Sequence, residues 1–296
     1  MAAPRTDSRR TVLLTGATGV VGPFLLQRLP AKGHEVHAIS RRPAGEQRPG
    51  VTWERADLGA VGPALGPEGI RTWIHAAPLW LAPPLVPGLA RRGLRRVLAF
   101  GSTSRFTKAR SPSAPERDTA ARLERAEAAL AEACAASGVA WTVFRPTLVW
   151  GGGRDRNVSA IAAVARRLGF VPVAGAARGA RQPVHADDLA RACLAALDNA
   201  TTFGRAYDLP GGETLAFDEM VARIARGMAR EPRTLHVPVP ALRLAIGLAR
   251  LFPGLNHLSP QMANRMNEDL VFDDGPARRD FGYAPLGFVF PEVYSK

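Results

Sequence analysis

Apolar and polar positions in this chain follow a repeating order of short strand, turn and helix. Thr11-Val12-Leu13-Leu14-Thr15 is an apolar run that ends in a glycine-rich turn. Over 20–31, Phe24, Leu25, Leu26 and Leu29 recur at helical spacing, and Gly33 follows as a stop. Further strands are predicted at Glu35–Ser40, Val51–Glu54, Thr72–His75, Arg96–Phe100 and Val139–Phe144. Between them the pattern predicts a proline-rich helix over about 79–92, a polar loop from Arg105 to Glu116 and a long helix over 117–137. Strands alternating with helices at this spacing imply βαβ units, hence an α/β fold with a doubly wound parallel sheet, Rossmann-like in outline.

After Gly151 the regularity loosens. Helical patterns cover 157–168, 186–197, 217–228 and 240–251, with extended stretches at 181–185, 205–209 and 234–237. The expected division is 11–150 plus 181–209 for a dinucleotide-binding domain, and 151–180 plus 210–296 for a smaller substrate-binding lobe. No internal repeat beyond the βα alternation occurs.

In a parallel sheet, ligands sit beyond the carboxyl ends of the strands. The peptides at 16–22, 40–42, 57–58, 76–78, 101–104 and 145–147 all fall there. The first is Gly16-Ala17-Thr18-Gly19-Val20-Val21-Gly22, placed between a strand and a helix. In that context the first glycine permits a tight turn. The second lets backbone approach a pyrophosphate, and the third lets the helix pack close to the strand. The N–H groups of the helix N-terminus then face the phosphates.

The net charge of +13 raises nucleic acid as a partner. The basic residues are spread from end to end, however, with only three lysines (Lys32, Lys108 and Lys296), and no nucleic-acid motif accompanies them. No specific nucleic-acid binding is expected. Cys134 and Cys193 lie in Ala-rich helical patterns without metal-ligand spacing and read as buried small hydrophobes, and no metal site is expected. No apolar run approaches a membrane span, and the N-terminus lacks an apolar signal segment, so a cytoplasmic protein is expected. The partners expected are a dinucleotide and a small molecule; a homodimer is left open.

The ordered set Thr15-Gly16-x-x-Gly19-x-x-Gly22, Asp57-Leu58, His75-Ala76-Ala77, Arg145-Pro146-Thr147, Val149-Trp150-Gly151, Val184 to Leu189 and Ala277 to Tyr283 resembles the extended short-chain dehydrogenase/reductases, in their epimerase/dehydratase branch. The resemblance implies that Gly16, Thr18, Gly19, Val20, Val21 and Gly22 hold the pyrophosphate. It implies that Asp57 and Leu58 meet the adenine, that Ala76 and Ala77 let the cofactor pass close to the backbone, and that Pro146 lines the nicotinamide site. A helix N-cap explains Asp57 equally well. At the end of the second strand stand Ser40-Arg41-Arg42, where NAD-selective sites commonly carry an acidic residue. A guanidinium pairs with a 2′-phosphate, so NADP(H) is expected over NAD(H).

The resemblance breaks at the catalytic pair. Active relatives carry Ser or Thr after the fifth strand and Tyr-x-x-x-Lys on the next helix. Ser102 and Thr103 fill the first position. Aligning Glu127 with the downstream Glu of the pattern puts Thr119 and Leu123 where Tyr and Lys belong. The tyrosines are Tyr207, Tyr283 and Tyr294, and none is followed by Lys four residues later. A Thr hydroxyl cannot serve as a base near neutrality. Two readings follow. One is an atypical NADPH-dependent oxidoreductase or epimerase-like enzyme on a small carbonyl substrate, with Ser102 or Thr103 orienting the carbonyl. The other is a non-catalytic NADP(H)-binding redox sensor or assembly subunit. His75, and the group His185, Asp187 and Asp188, are read as packing and helix-start residues.

Overall fold

The computed structural model describes residues 11–41, 47–60, 65–155, 157–228, 233–251 and 259–290. In chain order the first half runs β1 (Thr11–Thr15), α1 (Gly22–Ala31), β2 (Glu35–Ser40), β3 (Val51–Arg55), β4 (Thr72–His75), α2 (Val86–Arg91), β5 (Arg96–Phe100), α3 (Ser104–Thr107), α4 (Ala114–Ala136) and β6 (Ala140–Pro146). The second half runs β7 (Val149–Trp150), α5 (Val158–Leu168), β8 (Phe170–Ala174), β9 (Ala180–Arg181), β10 (Val184–His185), α6 (Ala186–Ala196), β11 (Arg205–Leu209), β12 (Leu215–Ala216), α7 (Phe217–Arg226), β13 (Arg233–Val237), α8 (Val239–Ala249), α9 (Gln261–Arg265) and α10 (Gly275–Phe281).

Seven strands form one sheet in the order β11-β6-β5-β4-β1-β2-β3, and every pairing in it is parallel. This is the doubly wound sheet expected. The strands read as near-continuous apolar runs because both faces are covered. Val12, Leu14, Leu98, Phe100 and Phe144 point into a core shared with α1 and α6. Their neighbours Leu13, Val97, Ala99 and Val143 point into the opposite core, with Leu89 of α2 and Ala126 and Leu130 of α4. Three further strand pairs, β7 with β10, β9 with β12 and β8 with β13, lie outside the main sheet. A third core gathers Val158 and Ala162 of α5, Val171 and Val173 of β8, and Met220 and Ile224 of α7. Ala277 of α10 and Tyr283 pack back on the first core.

Two expected elements differ. The single helix over 79–92 is instead two 3-10 turns, Leu79–Leu81 and Pro83–Leu85, followed by the short α2. Pro83, Pro84 and Pro87 have no N–H to give to a carbonyl four residues back, so a continuous α-helix cannot form until Pro87 lies in its first turn. The expected loop 105–116 contains α3 and the first turn of α4. Pro115 sits in that first turn, where proline is favoured because its missing donor would have been unpaired anyway.

Arg96 opens β5 and is buried. Its guanidinium donates to Thr142 Oγ1 (2.8 Å), Thr202 Oγ1 (2.8 Å), Ala196 O (3.0 Å) and Leu197 O (3.2 Å). It thereby joins β5, β6 and the end of α6 without a carboxylate. Burial lowers its pKa to about 10. Arg96→Leu strands these acceptors, and a loss of about 2–4 kcal/mol is expected. Urea unfolding of the two proteins checks this; a loss below about 0.5 kcal/mol, the scale of an ordinary surface change, would count against the role assigned to Arg96.

Candidate functional site

The β1–α1 turn lies directly on the end of β4. Gly16 has φ +79°, and a Cβ there would fall 2.3 Å from the Ala76 carbonyl carbon. The ladder continues past the strands through Ala76 N–H to Thr15 O (2.8 Å). A Cβ on Gly22 would fall 2.2 Å from Ala17 O, so the helix starts against its own turn. Gly19 N–H closes the turn on Gly16 O (2.9 Å). No side chain caps α1, and its first turn carries no acidic residue. The turn therefore presents glycine backbone and an uncapped helix start, which is the shape and polarity a pyrophosphate requires. Gly16, Thr18, Gly19, Val20, Val21 and Gly22 are together here, and Ala76 and Ala77 form the adjoining sheet end.

Beneath the turn runs a chain of hydrogen bonds. Trp73 Nε1–H donates to Thr15 Oγ1 (2.9 Å), and Thr15 Oγ1–H donates to His75 Nδ1 (2.8 Å). His75 Nε2–H donates to Pro78 O (3.0 Å). Since a carbonyl only accepts, Nε2 carries a hydrogen, and burial keeps the ring neutral. His75 is fully buried, and burial pushes its pKa down to about 4. It is a structural link between β1 and β4 rather than a proton donor to a ligand.

The other strand ends bring the remaining residues to the same edge. Arg41, just beyond β2, is exposed; Arg42 lies outside the described residues. Arg55 ends β3 directly beside Ser40 in the register. It is also exposed, and so adds a second cation to the corner where Arg41 stands. Asp57 is exposed, and its Oδ1 accepts from Gly59 N–H (3.0 Å), forming a turn in place of a helix start in the residues described. Leu58 is half-buried and packs on the core below the sheet.

At the β5 and β6 ends, Ser102 Oγ accepts from Ser104 N–H (3.1 Å), which leaves its own hydrogen to give. Thr103 is buried, and its hydroxyl is committed to Pro146 O (3.2 Å), which also accepts from Thr103 N–H. On α4, Thr119 Oγ1 donates to Pro115 O of its own helix (2.8 Å), and Leu123 is buried. Both described tyrosines give their hydroxyl hydrogens to other partners. Tyr207 donates to Asp280 Oδ2 (2.6 Å) and Tyr283 to Pro210 O (2.8 Å), and burial raises both phenols.

Three features of this edge were not read from the sequence. The buried Glu127 carboxylate binds two guanidinium groups, from Arg105 and from Arg145. Burial opposes the charge on Arg145, yet Glu127 and Asp208 hold its pKa above the ordinary value. Burial also pushes the Asp208 carboxyl up, against the pull of Arg145. Lys108, after α3, has its ammonium lowered by burial first and by Arg265 second. Finally, Gly151, Gly152 and Gly153 all have positive φ. A Cβ on Gly151 would fall 2.6 Å from His185 Nε2, and one on Gly152 would touch Phe24 of α1. That backbone path brings Arg154 to Thr18, whose carbonyl accepts from its guanidinium (3.3 Å). Buried Asp155 then anchors the loop by accepting from Ser159 N–H (2.9 Å).

The expected group of His185, Asp187 and Asp188 is a helix start. His185 Nδ1 accepts from Asp187 N–H (3.2 Å), Asp187 pairs with Arg28, and Asp188 accepts from Leu286 N–H (3.0 Å). Among the described residues, no cluster of three His, Cys, Asp or Glu could hold a metal. Cys134 and Cys193 are both buried, and burial raises both thiols, Cys134 to about 12. No helix among the described residues is long and apolar enough to cross a membrane.

Comparison with known proteins identifies the family and the fold. The profile of the NAD dependent epimerase/dehydratase family matches residues 12–77 and 84–209. The 2-alkyl-3-oxoalkanoate reductase of Stenotrophomonas maltophilia is 27% identical over 93% of this chain and 94% of its own length. The (4-alkanoyl-5-oxo-2,5-dihydrofuran-3-yl)methyl phosphate reductase of Streptomyces griseus is 28% identical over 86% of each chain. The structure of MoeE5 in complex with UDP-glucuronic acid and NAD superposes with a TM-score of 0.72 at 18% identity, covering 96% of this chain and 95% of that one.

Because His75 resists protonation when folded but not when unfolded, its contribution is fully present above pH 6.5 and is lost as pH falls toward 4. A loss of up to about 3 kcal/mol over that window is expected. Urea midpoints of the parent and His75→Asn between pH 7 and pH 4.5 check it: the difference between them should shrink as pH falls. A constant difference would rule this assignment out.

Proposed function

Because the chain belongs to the NAD dependent epimerase/dehydratase family, we propose that it is an NADP(H)-dependent reductase of a small carbonyl compound, working without a tyrosine–lysine pair. The observation that carries this reading is the basic corner formed by Arg41 and Arg55 beside an uncapped glycine turn. Two guanidinium groups there suit a 2′-phosphate, which an acidic side chain would repel. The naming of two full-length relatives as reductases supports the direction of the reaction.

In this reading Gly16, Thr18, Gly19, Val20, Val21 and Gly22 hold the pyrophosphate, with Arg154 adding a positive charge at the rim of the turn. Ala76 and Ala77 form the wall that the cofactor passes, Asp57 and Leu58 meet the adenine, and Pro146 lies along the nicotinamide. When bound, the dinucleotide supplies a hydride to the carbonyl carbon. Ser102 donates its free hydroxyl hydrogen to the carbonyl oxygen and thereby orients it. The alkoxide takes its proton from solvent through Ser102. Thr103 acts only by fixing the β5 and β6 ends to each other.

The second reading, an NADP(H)-binding sensor or assembly subunit, is favoured by one observation. The positions where Tyr and Lys would act hold a threonine bonded to its own helix and a buried leucine. NADPH oxidation with a panel of 3-oxo acids, enones and aldehydes separates the two. Turnover that falls about tenfold or more in Ser102→Ala supports the reductase. Tight NADPH binding with no turnover on any of them selects the sensor.

Calorimetric titration tests the cofactor assignment. NADPH is expected to bind about tenfold or more tightly than NADH, and Arg41→Glu to reverse the order. Gly19→Asp should abolish binding of both by placing a carboxylate against the pyrophosphate. Tighter binding of NADH by the parent protein would overturn the NADP(H) assignment.

A further inference from the structure

Helix α8 is apolar on two sides, and the described residues cover only one of them. Leu242 and Ile246 face inward, onto Val237 of β13, Ala174 of β8 and Ala263 of α9. On the opposite side, Ala241 and Ala245 lie four residues apart, as do Leu244 and Leu248, and Leu251, three residues further on, extends the row beyond the helix. Leu244 is 66% exposed, Leu248 55% and Leu251 80%. The neighbouring strand adds to this surface. Leu235 stands two residues before Val237, so it points to the same side of the β8–β13 pair, and it is 49% exposed. Exposed leucines gathered this way are an interaction surface rather than scattered surface residues.

Charge identifies what covers it. Arg243 and Arg250 are seven residues apart and share one side of α8, while Arg233 lies on the same side of β13 as Leu235. None of these three has a carboxylate partner among the described residues. Between Glu231 and Glu268 the sequence has no Asp or Glu at all, a run of 36 residues. A second copy of the chain seated here would bring like charges together with nothing to neutralise them, in a protein that already carries +13. A phospholipid surface supplies apolar chains and anionic phosphates at once, which is the environment an amphipathic helix with leucines on one side and arginines at its margin selects.

We propose that the outer face of α8, together with the adjoining face of β13, lies on an anionic membrane surface, with Leu244, Leu248 and Leu251 in the acyl boundary and Arg233, Arg243 and Arg250 at the headgroup phosphates. This docking needs no membrane-crossing segment, and it is independent of what the glycine turn binds.

Flotation of the full-length protein with vesicles tests this. Vesicles of equal parts phosphatidylglycerol and phosphatidylcholine should carry the protein up, and pure phosphatidylcholine vesicles should not. The triple variant Leu244→Ser/Leu248→Ser/Leu251→Ser keeps every charge and alters only exposed side chains. It should retain the parent's circular dichroism and bind the anionic vesicles about tenfold or more weakly. Arg243→Gln/Arg250→Gln should also weaken binding and reduce its dependence on salt. Undiminished binding by the leucine variant would show that net charge alone is responsible and would overturn the proposal. Failure of the parent to bind anionic vesicles would also overturn it, as would a stable solution dimer that the leucine variant dissociates.

Discussion

The arrangement at the carboxyl edge of the sheet depends on one close approach, that of Gly16 to the backbone of Ala76. A Cβ at Gly16 would occupy the space of the Ala76 carbonyl, so only glycine allows the first turn to lie flat on the end of β4. Once it does, β1 extends its ladder to Ala76 and the start of α1 is fixed over the sheet. The His75 ring, held between Thr15 and Pro78, supports the same junction from below. The floor of the site is thus backbone resting on backbone, and side chains enter only around its rim. Such a surface is stiff and presents dipoles in fixed positions, as a site for an anionic group requires.

At both edges of the sheet the protein uses arginine almost exclusively as its cation, and the structure shows two distinct uses. Arg96 is buried among hydroxyls and carbonyls, where its several donors satisfy acceptors from three elements at once. Arg105 and Arg145 instead converge on one buried carboxylate, Glu127, and flank it from two elements. A lysine could replace neither arrangement, since a single ammonium lacks the planar fork that both geometries need. The pairs nearer solvent, such as Arg223 with Glu219, contribute little by comparison because water screens them.

Much of the fold was legible because a sheet covered on both sides forces its strands to be short apolar runs. Strands β1, β2, β4, β5 and β11 were read with the boundaries observed. The reading failed where proline had two possible meanings. At 79–92 prolines broke a helix, whereas Pro115 began one. The glycine turn and its neighbours at Ala76 and Ala77 were visible as a motif with the correct flanks. Arg55 was not, because its place beside Ser40 is a matter of strand register. Arg154 was not, because the contact with Thr18 spans 136 residues and is set by three successive glycine conformations. Glu127 was noticed as a landmark in the sequence, but nothing local told that two arginines from separate elements would share it.

The position of Glu127 also constrains how this fold can change. Leu123 lies one helical turn before Glu127, on the same side of α4. A lysine introduced at 123 would enter buried space beside a carboxylate that already pairs with Arg105 and Arg145, which reach Glu124 and Asp208 as well. A tyrosine at 119 would arrive without that lysine's help. Building a tyrosine–lysine pair on this helix is therefore not a matter of two substitutions: the Arg105–Glu124 and Arg145–Asp208 pairs lie around the same carboxylate and would have to shift with it. The packing around Leu123 and the ion pairs around Glu127 therefore have to change together before a lysine can stand there.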